Sequence, residues 1–146
     1  DLDVHQGNGT AEIFRRESAV FTFSMHGEKN YPHHKEQSDL DLPLPDGTKD
    51  DEYLRVLEKN LSKIFRENNP DLVFFQSGVD VLSSDKLGRL SLTIAGCRQR
   101  DQLVLESCHA QNIPVVAVMG GGYSPQIKDI IEAHANTFRI AQELYF

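Results

Sequence analysis

Apolar positions along the chain fall into two rhythms, and these predict its elements. Ala19-Val20-Phe21-Thr22-Phe23-Ser24 is an uninterrupted β-rich run, as expected of a buried strand. Leu72-Val73-Phe74-Phe75 and the run from Ile113 to Met119 predict two more buried strands. Between them the spacing changes. Tyr53, Leu54, Leu57, Leu61, Ile64 and Phe65 recur three and four apart, which gives one face of a helix. Thr48-Lys49-Asp50-Asp51 reads as its start, a capping box with Asp in place of the usual Glu, and Asn68-Asn69-Pro70 ends it. Thr93 to Ala110 reads as a second helix capped by Thr93. Ser124-Pro125 opens a third, as N-cap and first helical residue, running through Ile127, Ile130, Ile131 and Ala133. The polar stretch 26–45 carries Gly, Pro and three His and reads as a long loop. Buried strands alternating with helices imply an α/β fold with a parallel sheet covered by helices.

Composition narrows the classes. A chain of 146 residues has the size of one domain and can bury a real core. No apolar run approaches the roughly 18 residues that span a bilayer. The formal net charge of −7 argues against bulk binding to nucleic acid or an anionic membrane. Cys97 and Cys108 lie eleven apart on one predicted helix, too distant to bridge. Free thiols fit a reducing compartment, and we expect a cytoplasmic protein, or a nuclear one in a eukaryote.

The candidate chemistry lies where predicted strands end. Asp3 and His5 are two apart in Asp1-Leu2-Asp3-Val4-His5-Gln6-Gly7-Asn8-Gly9-Thr10. In an extended strand such residues share a side, so a carboxylate and an imidazole can grip one divalent metal. Asp1 lies on that side as well and can act from behind the ligands. Gln76-Ser77-Gly78-Val79-Asp80 and Gly120-Gly121-Gly122-Tyr123 follow the next two strands. In parallel sheets ligands bind beyond the carboxyl ends of the strands, so all three segments converge on one face. Asp3, His5 and Asp80 give an O, N, O ligand set that leaves room for water and substrate, as in catalytic zinc sites. The Tyr123 phenol, after three glycines, is placed to donate to a developing oxyanion. These parts suit hydrolysis of an amide or related acyl bond.

These segments, in this order and at these separations, resemble the C-terminal half of a zinc-dependent histone deacetylase-like enzyme of the arginase/deacetylase fold. Ser24-Met25-His26 falls at the family's spacing too. Gln6 stands where many members have a second His. Asp50-Asp51-Glu52-Tyr53-Leu54 and Asp85-Lys86-Leu87-Gly88-Arg89-Leu90-Ser91 look most like class IV and its bacterial relatives. The resemblance implies a three-layer, mainly parallel sheet with helices on both faces, present here in part. It implies that Asp3, His5 and Asp80 bind zinc, or iron as some members do. It implies that Tyr123 hydrogen-bonds the substrate carbonyl and then the oxyanion, and that Asp1 orients a catalytic His. The backbone carbonyls of Asp1, Asp3, His5 and Met25, with the Ser24 hydroxyl, match the family's potassium site. Leu87, Tyr31, Gly121 and Gly122 match the acyl-lysine channel.

One departure decides how the chain is read. The family's general base belongs to a tandem His pair upstream of the first metal motif, and this sequence contains no such pair there. His33-His34 is tandem but lies in the polar loop, and reads as a surface pair. Residues 1–146 therefore read as the C-terminal part of one catalytic domain, whose N-terminal half is the expected partner. The expected reaction is removal of acetyl or longer acyl groups from protein lysines. Deacylation of a small amine such as a polyamine is the alternative within enzymes, and a non-catalytic metal-binding fragment the alternative outside them. Two-manganese chemistry of the arginase kind would need more carboxylates than these motifs hold.

Overall fold

The computed structural model describes all 146 residues. Eight elements follow in the order α1 (Asn8–Phe14), β1 (Phe23–Gly27), β2 (Leu40–Leu44), α2 (Asp50–Asn68), β3 (Val73–Gly78), α3 (Ile94–Ala110), β4 (Val115–Gly120) and α4 (Ile127–Tyr145). Strands β1 and β2 pair in parallel, with Phe23 opposite Leu40, and β3 and β4 pair in parallel, with Val73 opposite Val115.

The opening residues join the two pairs. On one side the Asp1 nitrogen donates to the Phe23 carbonyl (2.7 Å) and the Met25 N–H returns to the Asp1 carbonyl (3.0 Å), the alternation of a parallel ladder. On the other side the Leu2 N–H donates to the Gln76 carbonyl (3.1 Å). Spatially the order is β2, β1, residues 1–4, β3, β4.

The helices pack in sequence, α2 against α3 and α3 against α4. The α2 stripe buries Tyr53, Leu57, Leu61 and Phe65 as its spacing predicts. On α3 the Thr93 hydroxyl accepts from the Gly96 N–H (2.9 Å), the expected cap. Cys97 and Cys108 are buried free thiols on that helix.

Several boundaries differ from expectation. The strand expected over 19–24 begins only at Phe23 and runs on to Gly27, because the Glu17 side chain and carbonyl accept the N–H groups of Ala19 and Val20 in a turn. β2 lies inside the expected loop. Its Leu-Asp-Leu-Pro-Leu alternation is that of a strand, and Pro43 is tolerated because β2 pairs on one side only. The Thr48 capping box does not form. The Thr48 hydroxyl donates to the Pro45 carbonyl, Lys49 is the N-cap, and Asp50 instead accepts the N–H and hydroxyl of Thr93 (2.9 and 2.6 Å). Helix α4 starts three residues after Ser124, with Gln126 as its cap. α1 was not foreseen.

The strands expected to be buried are open on one side. Phe74 is 69% exposed, and on β4 Val116 and Val118 are each 43% and Met119 59% exposed. Beside them lies a cavity of about 780 Å³ lined by Leu2, Phe23, Phe65, Phe75 and Val104.

His26 and His134 are both buried, and burial holds each imidazole below its ordinary value of 6.5. The fold therefore keeps them neutral while the unfolded chain takes up protons more readily. Their contribution to stability is complete above pH 6.5 and is lost as pH falls from there through the lowered values. We predict a fall in denaturant midpoint between pH 7 and pH 5 that is smaller in His134→Gln. An equal fall in that variant would remove His134 from the acid response.

Candidate metal centre

Asp3, His5 and Asp80 come together although Asp3–His5 is a bend rather than the strand expected. The bend is made by the residues themselves. Asp1 Oδ1 accepts the Asp3 N–H (3.1 Å), and Asp3 Oδ1 accepts the His5 N–H (2.8 Å). Asp80 follows β3, and its Oδ1 accepts the Val4 N–H (3.0 Å), fastening the second ligand segment to the first.

The ligand atoms of the three residues lie within 4.8 Å of one another. His5 Nδ1 is 2.9 Å from Asp3 Oδ1 and 3.2 Å from Asp80 Oδ2. Asp80 Oδ2 is buried with no hydrogen-bond partner. An orphaned buried carboxylate oxygen facing a second carboxylate and an imidazole is unfavourable unless a cation sits among them. The O, N, O set fits a divalent transition metal such as zinc.

Electrostatics tell the same story. The hydrogen bond to Asp3 and the Asp80 carboxylate close beside it raise the His5 imidazole to about 10. Burial acts to raise Asp3, but the bonds from His5 outweigh it and hold that carboxyl below its usual range. At the more deeply buried Asp80, desolvation wins and its carboxyl rises.

Two glycines make room. A side chain at Gly78 would meet the Asp3 Cα at 2.8 Å. Gly121 has φ +63° and turns the chain over the Asp80 side chain, a conformation glycine adopts without strain.

The other predicted residues take up definite places. Tyr123 follows this turn and is 51% exposed. The Asp1 carboxylate braces the Asp3 backbone. The Ser24 hydroxyl is buried and bonds the Gly7 N–H (3.2 Å) and His26 Nδ1 (3.0 Å), while the Asp1 carbonyl accepts from Met25. Leu87 and Tyr31 are exposed. His33 and His34 are exposed, as a surface pair would be. The Gln6 side chain holds Glu36 through both its N–H and carbonyl and also reaches Asp41 (2.9 Å), which fixes the loop before β2.

Sequence reading missed Arg100. It is fully buried on α3 and donates from Nη1 to the carbonyls of both Leu2 and Gly78, just ahead of Asp3 and Asp80. Asp101 balances its charge (Nη2 to Oδ1 2.7 Å), and Thr137 holds Asp101 (2.6 Å). The signal was present: Cys97, Arg100, Asp101, Val104, Leu105 and Cys108 share one helical stripe, so the charged pair sits on the buried face.

Comparison with known proteins places the chain in a family. The histone deacetylase domain family matches residues 1–138, and the chain belongs to that family. An uncharacterised protein of Picosynechococcus is 48% identical over 145 residues, 99% of this chain and 48% of that protein. Histone deacetylase 2 of Arabidopsis thaliana is 35% identical over 126 residues, 84% of this chain and 33% of that enzyme. The chain thus spans less than half the length of these relatives. Among solved structures, an acetylpolyamine aminohydrolase from Burkholderia pseudomallei superposes with TM-score 0.81 at 25% identity, covering 99% of this chain and 44% of that one. A histone deacetylase homologue from Aquifex aeolicus gives 0.76 at 27% identity, covering 97% and 40%. The fold is the arginase/deacetylase fold, of which this chain carries a part.

In the full-length protein, Asp80→Ala should reduce bound divalent metal from one per chain to near zero by elemental analysis. Gly78→Ala, which pushes on the Asp3 backbone, should weaken metal affinity by about 10–100-fold in a chelator competition. Undiminished metal in Asp80→Ala would exclude Asp80 as a ligand.

Proposed function

We propose that the protein to which this chain belongs is a metal-dependent hydrolase that removes acyl groups from lysine side chains. The observation that carries this is the Asp3–His5–Asp80 cluster, half-buried at Asp3 and His5 and buried at Asp80, beneath a Gly121-Gly122-Tyr123 turn, in a chain of the histone deacetylase family. A zinc or ferrous ion held by these three side chains would supply Lewis acidity, polarising the amide carbonyl and acidifying a water.

The chain's own groups do the rest. Asp3, His5 and Asp80 fix the ion's position. Tyr123 donates its hydroxyl to the carbonyl oxygen as negative charge develops there. Gly121 and Gly122 let the backbone approach the acyl group, and Leu87 and Tyr31 wall the channel. Potassium, held by the Asp1, Asp3, His5 and Met25 carbonyls and the Ser24 hydroxyl, would brace the bend from below.

A proton acceptor is still required. His33 and His34 are exposed in the loop before β2. We infer that the base comes from the N-terminal part of the same domain, which also covers Phe74, Val116, Val118 and the adjoining cavity. Amides of β3 and β4 should then exchange hydrogen more slowly in the full-length protein than in residues 1–146 alone. Equal exchange would place that cover elsewhere.

A second reading, deacylation of a small acetylated amine, is favoured by the acetylpolyamine aminohydrolase neighbour. The net charge of −7 suits a cationic substrate of either kind. Assaying full-length protein on an acetyl-lysine peptide and on an acetylated polyamine separates the two.

Tyr123→Phe in the full-length protein should lower kcat by about 10²–10³-fold with metal content unchanged. An unaltered kcat would remove Tyr123 from the mechanism. Residues 1–146 alone, loaded with zinc, should show no turnover on either substrate. Robust turnover would make His33 and His34 the first candidates for the base.

A further inference from the structure

Tyr123 stands on a soft support. Gly121 and Gly122 both have positive φ (+63° and +103°), and neither has a side chain to pin the turn. A phenol that must meet an oxyanion at hydrogen-bond distance needs a firmer anchor than that.

The loop between β3 and α3 provides one. Asp85 Oδ2 accepts the Tyr123 N–H at 2.7 Å. Its other oxygen, Oδ1, accepts the N–H groups of Leu87 and Gly88, each at 2.8 Å. One carboxylate thus joins the backbone of the tyrosine to the backbone of the channel wall. A bond from a backbone N–H to an ionised carboxylate is stronger than its neutral counterpart.

The loop is itself firmly held. Its neck is closed by Ser83 N–H to the Leu92 carbonyl (2.9 Å) and Leu92 N–H to the Val81 carbonyl (3.1 Å). Asn30, which is buried, donates to the Leu87 carbonyl (2.8 Å) and accepts from the Arg89 N–H (3.1 Å). Gly88 packs on the Asp80 backbone so closely that a side chain there would meet the Asp80 carbonyl carbon at 3.1 Å. Asp85 therefore ties Tyr123 to a frame that rests on the metal ligand Asp80.

We propose that Asp85 is a positioning residue, holding Tyr123 at a fixed distance from the Asp3–His5–Asp80 centre and in register with Leu87. The proposal rests on the reading of Tyr123 as the oxyanion donor. It implies that the channel wall and the donor move as one piece. A substitution that frees one frees the other.

The test uses the full-length, metal-loaded protein, with Asp85→Ala, Asp85→Asn, Tyr123→Phe and the Asp85→Ala/Tyr123→Phe pair. Asp85→Asn keeps one carbonyl oxygen and so cannot serve both sides, but it removes less and guards against a folding defect in Asp85→Ala. Both Asp85 variants should lower kcat by about 10–100-fold, with chelator-measured metal affinity unchanged. In the Tyr123→Phe background, Asp85→Ala should cost less than about 3-fold, because the group it positions has gone. Hydrogen exchange at the Tyr123 amide should speed up in Asp85→Ala while the β3 amides keep their protection.

Unchanged exchange at Tyr123, or an equal loss of kcat in both backgrounds, would overturn the proposal while leaving Tyr123 as the donor. Wild-type turnover in Tyr123→Phe would instead overturn the reading of Tyr123 and the catalytic role of Asp85 with it. Faster exchange at the amide would still mark the tether in that case.

Discussion

A buried cation organises this chain. Arg100 reaches from α3 to the carbonyls of Leu2 and Gly78, so one guanidinium fastens the segment carrying Asp3 and His5 to the segment leading to Asp80. Both carbonyls lie where strand-like backbones stop pairing with each other, and without a donor they would be buried and unsatisfied. In turn the guanidinium donates from Nε to Asp101 Oδ1 (2.8 Å) and lies 5.8 Å from the Phe75 ring centroid. Removing one partner of such a pair leaves an uncompensated buried charge, at a cost of about 3–5 kcal/mol. That is a large share of the 5–15 kcal/mol or so that usually holds a domain together. Asp3, His5 and Asp80 thus converge because a helix behind them holds their backbones.

Around this anchor, rigid and yielding parts divide the work. The ligand side rests on ladders, on the Asp80–Val4 bond and on the Arg100 pair. The donor side rests on glycines. Glycine is needed at 121 because the turn must pass over Asp80 with positive φ, and the same freedom leaves Tyr123 without local restraint. Asp85 answers that weakness from a neighbouring loop. The two halves of the site are therefore built by different means and meet at Asp80, whose side chain faces the ligand cluster and whose backbone carries Gly88.

Much of this was legible in the sequence. The α2 stripe and the Thr93 cap depend on local spacing and residue chemistry and lie where that spacing places them, and the three motif segments come together although Asp3–His5 is a bend rather than a strand. What was hidden depends on partners distant along the chain. β2 lies in a polar stretch with Gly, Pro and three His that reads as loop, and only its position beside β1, with one side unpaired, makes Pro43 harmless. The Thr48 hydroxyl turns back to the Pro45 carbonyl rather than into the helix, and Asp50 in the first turn is engaged by Thr93, forty-three residues on. Arg100 and Asp101 sat in plain view on an apolar stripe. The stripe marks them as buried, and what it leaves out is their purpose, the two carbonyls on the other side.

The exposed strands follow from the same logic. Val115–Gly120 has the unbroken apolar composition of a strand covered on both faces, yet its side chains stand in the open here. Composition records the surroundings a segment is suited to, and an unbroken apolar run suits a strand with both faces covered. Asp3, His5 and Asp80 show the complementary case. Their side-chain atoms stand converged within 4.8 Å of one another, so a divalent ion held there would require little movement of the backbone. Preorganisation of this kind comes from the Arg100 anchor and the Asp1–Asp3–His5 chain of backbone bonds, and these belong to the fold before any metal arrives.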